Sequence, residues 1–447
     1  MFKATFGFVS FTLLAVRAGV AAPSSVVSQL SNRVCPAPYP SSTPYPPYPS
    51  SSYPSSSYPS SSYPSSSYPV SSYPSSTAYG YSSRSLVPRQ SGGNASLSFT
   101  GADWIWRDEF DSSGRAPVGV RGFRKVFNPP EGKIPSTLEI ASAVDDIATL
   151  FVNGEEIGTN YHWPTANAYC VPLYPGSNVI AFNATNLDLV GPLNHAALLV
   201  TAVVTYTDGT TSRIVSDLSW RVSASLPSGW EQPGFDDSSW EAVISEGTYP
   251  TQDPDNYGTV SIAGVNPLSY AQAHWIWTSE NPKTLGTRAL RRTLDLPPGN
   301  TNASGQVLIV ADDEYSLYVN GHFVGTGMAF PTVQRFNISN IQGPRVVVAV
   351  YAVNTNPTQA GVLAAMQITS FDPYGCVANC TSETSILTDV FWKVSTNVTS
   401  GFEQPNFDDS TWSPITQDGT GTSRSPTAPG NGISPSGTPL PGAPAGN

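Results

Sequence analysis

Charge is scarce in this chain. Asp, Glu, Lys and Arg make up 12% of its 447 residues, about half the ~25% usual in soluble domains. The 21 basic residues against 32 acidic ones leave a net charge of −11, so there is no cationic field to collect phosphates, and nucleic acid binding is excluded. Cysteine and histidine number four each and methionine three. No G-x-S-x-G, H-E-x-x-H or glycine-rich phosphate loop occurs, which removes the usual signatures of hydrolase elbows, zinc peptidases and nucleotide binders. No stretch of 12 residues holds a helical period, so a helix bundle is excluded as well. No apolar run reaches the ~20 residues that span a bilayer.

Ser, Thr, Asn, Gly and Pro fill the space, with 42 prolines and 37 glycines, a composition of turns, short strands and extended linkers. Residues 1–22 combine Lys3, the apolar run Phe6–Val16 and small residues at Ala18, Gly19, Ala21 and Ala22, the pattern of a secretory signal peptide. An extracellular location follows. Six N-x-S/T sequons agree with it: Asn94, Asn183, Asn302, Asn337, Asn379 and Asn397. In an oxidising compartment Cys376 and Cys380 form the natural local bridge. For Cys35 and Cys170, both a mutual bridge and a free Cys170 stay open. The C-x₃-C spacing has no second ligand pair, which argues against zinc.

From Tyr48 to Tyr73 a Tyr-Pro dipeptide recurs every five residues. Proline removes backbone donors and serine adds no burial, so residues 23–97 are expected to form a disordered stalk. Its serines suit O-glycans and its tyrosines suit cross-linking to a cell wall, the alternative being a passive linker. A second Gly/Ser/Thr/Pro-rich segment, 419–447, reads as a disordered tail.

Between them lies a tandem repeat. DWIWRDEF (103–110) matches HWIWTSEN (274–281), and FRKVF (123–127) matches LRRTL (290–294). VDDIATLFVNGEEIGT (144–159) aligns without a gap to ADDEYSLYVNGHFVGT (311–326), and SGWEQPGFDDSSW (228–240) matches SGFEQPNFDDSTW (400–412). The copies occupy 98–264 and 265–418. Short β-branched runs such as IATLFV, VIAFNA and RVVVAVYAV, separated by turn residues, make each copy all-β. Asn153-Gly154 and Asn320-Gly321 sit between apolar strands where a type I′ hairpin turn needs two positive φ angles. The spacing predicts two tandem antiparallel sandwiches of the jelly-roll kind.

W-I-W, F-R-K-x-F, D-D-x-x-x-L-[FY]-V-N-G-x-x-[IV]-G and F-D-D-S-x-W together resemble the galactose-binding-like jelly roll, and within it the non-catalytic accessory sandwich of α-L-rhamnosidases. The resemblance implies an accessory, carbohydrate-associated role. The several-hundred-residue catalytic domain that accompanies such sandwiches has no counterpart here.

Adjacent strand residues point to opposite faces, so the pairs Asp145/Asp146 and Asp312/Asp313 do not by themselves make the facing carboxylates of a glycosidase. The histidines have no repeat equivalence. The expectation is therefore no enzyme. The F-D-D-S-x-W block reads as a turn held by Asp with Phe235, Trp240, Phe407 and Trp412 as plugs; no cofactor is expected, a structural calcium on these carboxylates being the alternative. Trp104 with Trp106, and Trp275 with Trp277, fall on one face of a strand, as core or as a sugar platform. The loop after the Asn-Gly hairpin, with Tyr161, His162 and Trp163 in copy one and Phe330 in copy two, offers aromatic faces beside polar groups, as sugar recognition requires. Asp145, Asp146 and Asn186, and in copy two Asp312, Asp313 and Asn354, would supply the polar side. The expected function is non-catalytic binding of carbohydrate or glycoconjugate, or adhesion, at the cell surface or wall. The alternatives are a structural wall or matrix glycoprotein without sugar recognition and a glycoside-hydrolase-related enzyme.

Overall fold

A computed structural model describes residues 97–187, 194–252, 257–281, 283–328, 330–371 and 380–447. The expected signal peptide and all of the stalk except Leu97 lie outside these residues, with Asn94, Asn379, Cys35 and Cys376. The described chain contains strands and no helix. Both copies fall within one compact unit.

One layer of the first copy is a six-stranded sheet in the order Glu241–Ala242, Arg221–Ser223, Gly119–Phe127, Asn178–Asn186, Ile147–Val152, Glu155–Tyr161. The second copy repeats that order with Ser413–Pro414, Lys393–Ser395, Gly286–Asp295, Arg345–Asn354, Glu314–Val319 and His322–Gly327. Asn153 and Gly154 (φ 54° and 84°) and Asn320 and Gly321 (φ 48° and 83°) turn the predicted hairpins. Both φ signs are positive, as a type I′ turn demands.

The opposing layer is shared. A 13-stranded sheet runs from Ile244–Thr248 through Asp103–Trp106, Ala197–Tyr206, Pro135–Asp145 and Thr165–Pro172 into the second copy's Thr381–Leu387, Gly361–Phe371, His274–Trp277 and Thr416–Thr420. Each copy has its own core between its six-stranded sheet and its half of this one. Phe123, Leu150, Phe182, Leu198 and Trp220 fill the first, and Leu290, Leu317, Val350, Val362 and Trp392 the second. Ala197–Tyr206 is buried along nearly its whole length because its other face is covered by Leu97, Phe99, Trp104, Tyr257 and Val260. That explains why its sequence is apolar on both faces and does not alternate.

At the junction, Thr381–Leu387 meets Thr165–Pro172 through Glu383 and Ala168, and the Ser385 amide donates to Asn167 Oδ1 at 3.0 Å. Here the expected local bridge is overturned. Cys380 is bonded to Cys170, 210 residues away, with Cα atoms 5.3 Å apart, so Cys380 does not pair with Cys376. Neighbouring strands of one sheet bring distant cysteines into bonding range, a pairing that sequence proximity conceals.

The tail differs from expectation too. Residues 419–447 lie along the second sandwich. Thr427 bridges Thr332, Ser434 exchanges hydrogen bonds with the Arg335 backbone, Leu440 is buried among Tyr318, Tyr351 and Phe402, and Asn447 donates to Gln404 at 2.9 Å. One apolar anchor and a run of strand-edge hydrogen bonds order a segment whose composition alone has no core.

Trp104 and Trp106 are both buried but lie in different clusters, as do Trp275 and Trp277. A register shift between Trp104 and Ile105, and another between His274 and Ile276, breaks the alternation, since a bulge re-aims side chains.

The F-D-D-S-x-W and F-R-K-x-F motifs lock together. Asp236 Oδ1 and Asp408 Oδ1 accept from the Ser238 and Ser410 amides at 3.0 and 2.9 Å. Asp237 and Asp409 pair with Arg124 and Arg291 at 2.9 Å. Arg124 also donates to the carbonyls of Trp230 and Gln232, and Arg291 to those of Phe402 and Gln404. Their guanidinium groups lie 5.2 Å from the Phe235 ring and 5.4 Å from the Phe407 ring. The turn reading of this block holds. An arginine already supplies the positive charge to Asp237 and Asp409, the second carboxylate of each pair.

Candidate functional site

The two aspartates of each pair play different parts. The second is a fastener. Asp146 Oδ2 accepts from the Leu187 amide at 2.7 Å, and Asp313 Oδ2 accepts from the Thr355 amide at 2.7 Å, the Thr355 hydroxyl at 2.8 Å and the Asn356 amide at 3.1 Å. The strand-ending asparagines are fasteners as well: Asn186 donates to the Ala116 and Pro117 carbonyls at 3.3 and 3.2 Å, and Asn354 to the Thr284 carbonyl at 2.9 Å. The strand ends thus come together, with most of their polar atoms turned to the loops that frame them.

The first aspartate of each pair meets a side chain returned by the segment that leaves its sandwich. In copy one Asp145 Oδ2 accepts from the Tyr257 hydroxyl at 3.1 Å, and the Tyr257 ring lies 4.5 Å from Trp104 and 5.3 Å from Trp163. In copy two Asp312 Oδ2 pairs with Arg424 at 3.4 Å, and the guanidinium lies 4.8 Å over Trp275. Trp275 contacts Phe330 edge-on at 5.9 Å, and its buried indole N–H has no hydrogen-bond partner. Burial, with the Asp313 charge beside it, pushes the Asp312 carboxyl up against the pull of Arg424. Phe330 and Met328 are 37% and 65% exposed at the rim.

Tyr161 and His162 are placed elsewhere, at the junction of the two sandwiches. Arg292 of the second copy lies 4.6 Å from the Tyr161 ring and 5.0 Å from the Phe391 ring, and Tyr161 meets Phe391 at 5.2 Å. A small polar cavity lined by Tyr161, His162, Gln272, His274, Arg292 and Asp389 has room for about one water molecule, too little for a sugar ring. Tyr161 and His162 therefore dock one sandwich on the other, while Trp163 packs against Tyr257.

Burial pushes His162 down to about 4, against the pull of Asp146 and with help from His274. Between that value and the ~6.5 of an unfolded histidine, the folded ring is neutral while the unfolded one is protonated. Its contribution to stability is full above ~6.5 and is lost as pH falls toward 4. Buried Asp389 has its carboxyl pushed up and acts in the opposite sense. His162→Phe is therefore expected to flatten the fall of the thermal midpoint between pH 6.5 and 4 relative to the unsubstituted chain, measured by calorimetry; an unchanged slope would remove His162 from the acid response.

Among the described residues no group of three or more His, Cys, Asp and Glu is placed to hold a metal ion, and no helix is long and apolar enough to cross a membrane. Of the sequons, Asn302, Asn337 and Asn397 are exposed and Asn183 is half-buried. Tyr257 and Arg424, absent from the expected residues, had a signal in the repeat: each follows the first aspartate of its pair by 112 residues.

No family model matches the sequence. Over 155 residues the chain is 32% identical to an α-L-rhamnosidase of Streptomyces avermitilis, a match covering 33% of this chain and 14% of that protein. About a third of the chain is thus similar to a small part of an α-L-rhamnosidase. Solved structures similar to this chain include a lectin from Pleurotus ostreatus in complex with GalNAc, at 30% identity and a TM-score of 0.35 over 73% of this chain and 94% of that one. The Streptomyces avermitilis α-L-rhamnosidase complexed with L-rhamnose aligns at 20% identity and a TM-score of 0.31, over 73% of this chain and 33% of that one.

Proposed function

We propose that the chain binds carbohydrate without cleaving it, through the second sandwich. The observation that carries this is the exposed Phe330 edge on Trp275, next to the Asp312 carboxylate and the exposed Thr355–Thr358 loop. An aromatic rim beside a few aimed acceptors and donors is what a sugar ring needs, apolar on its C–H face and polar at its hydroxyls. Non-catalytic binding is supported by the roles of the nearby carboxylates: Asp313 Oδ2 takes three backbone and hydroxyl donors and Asp312 is ion-paired. Neither is left as a free acid and base pair. The signal-peptide pattern and the Tyr-Pro stalk support a secreted, wall-proximal setting.

The test is a glycan array on the full chain followed by calorimetry, with GalNAc and L-rhamnose as first monosaccharide probes. Phe330→Ala is expected to weaken binding about tenfold, the ~1.5 kcal/mol upper range of an aromatic contact. Absence of binding to any glycan, with and without calcium, would overturn the reading in favour of a purely structural protein.

A further inference from the structure

We infer that the chain offers one saccharide site, in the second sandwich, and that Arg424 is that site's built-in competitor. This rests on the carbohydrate reading above and specifies where it operates. In both copies the segment leaving the sandwich returns a side chain to the first aspartate of the pair, over the tryptophan of the opening W-I-W motif. The two returning side chains differ in chemistry and in tethering.

Tyr257 is 2% exposed and is followed four residues on by Ser261–Ile262, which pairs in parallel with Thr165 and Ala166. It lies in the connection between two sandwiches that the Cys170–Cys380 bond also joins. Its ring covers Trp104 and Trp163 together. Asp145 and Trp104 are therefore covered by an element that cannot leave unless the junction opens.

Arg424 lies instead on the terminal segment. Its ion pair with Asp312, at 3.4 Å, is longer than the 2.7–2.9 Å of a well-formed charge-assisted bond, and besides the Trp275 ring at 4.8 Å it reaches the Ala360 carbonyl at 3.3 Å. The same guanidinium already pairs with Asp418, whose side chain is 56% exposed. Asp418 thus gives Arg424 a solvent-side partner when it leaves Asp312. Arg424 covers the indole face and the carboxylate that a sugar ring would use, while Phe330 stays exposed at the rim. A ligand must exchange with Arg424, and if the arginine is seated nine-tenths of the time the apparent affinity falls about tenfold.

Calorimetric titration of the full chain with GalNAc, and separately with L-rhamnose, tests this in the unsubstituted protein, Arg424→Ala and Arg424→Gln. The expected result is one site per chain and binding about tenfold tighter in both variants. Hydrogen exchange on the unsubstituted chain gives an independent reading that needs no variant: saturating saccharide should speed exchange of the amides around Ser423–Thr427. Two sites per chain, or equal or weaker affinity in both variants with unchanged exchange, would overturn the inference and leave the carbohydrate reading intact. No binding of either sugar or of any arrayed glycan by any form would overturn both.

Discussion

Cys170→Ser and Cys380→Ser are each expected to lower stability by about 5 kcal/mol, and by the same amount, because they remove one bond. In the chain-entropy account, a cross-link stabilises by restricting the unfolded chain, and the effect grows with the loop it closes. The Cys170–Cys380 loop spans 210 residues, beyond the ~100-residue loop to which that account assigns about 4.7 kcal/mol. The bond also sits on the seam where Thr381–Leu387 meets Thr165–Pro172, so its loss should loosen the junction first. Denaturant unfolding under non-reducing conditions gives the magnitude, and peptide mapping of the intact protein gives the connectivity. If Cys170→Ser left stability unchanged, or mapping joined Cys376 to Cys380, the seam would not be covalently held.

Arg291→Ala should cost about 3–5 kcal/mol, the penalty for breaking a buried pair and orphaning its partners. The side chain is 1% exposed and satisfies Asp409 and the carbonyls of Phe402 and Gln404 at once. Arg124→Ala should cost a similar amount in the first sandwich. Arg291→Lys is expected to rescue little, because an ammonium lacks the planar fork that reaches three acceptors. Burial alone would raise the Asp409 carboxyl, but hydrogen bonds from Lys393 and Arg291 outweigh it and hold it below the usual range. Its stabilisation is therefore full above the unfolded value of about 3.9 and disappears as pH falls through the lower folded value. Thermal melts of the two variants decide the matter; a loss under about 1 kcal/mol would mean that the motif is held by its aromatic plugs alone.

What the sequence made legible was whatever repeats or obeys local chemistry. The Asn-Gly turns, the paired sandwiches and the Asp236 and Asp408 turns follow from backbone rules that act within a few residues. The partners of Asp145 and Asp312 were hidden because Tyr257 and Arg424 differ in chemistry while occupying the same place. Tyr161 and His162 read as a sugar face because an aromatic face suits a cation as well as a sugar; the cation, Arg292, comes from the other copy. The tail misled for the opposite reason: composition predicts what a segment does alone, and Leu440 and Ser434 have a sandwich to lie on.

The seam between the copies has a consequence for assembly. It joins unlike edges, the second sandwich's Thr381–Leu387 to the first sandwich's Thr165–Pro172, and head-to-tail contacts that do not close into a ring propagate into filaments. The next acceptor in such a filament would be Gln334–Gln342, the repeat equivalent of Thr165–Pro172. There Ala168 is replaced by Arg335 and Cys170 by Asn337 of the N-I-S sequon, and Thr427 and Ser434 already take the hydrogen bonds at that edge. A charged residue, a covering segment and the absence of the bonding cysteine all cap an edge against strand addition. The tail thereby occupies the edge at which another strand would otherwise add to the second sandwich.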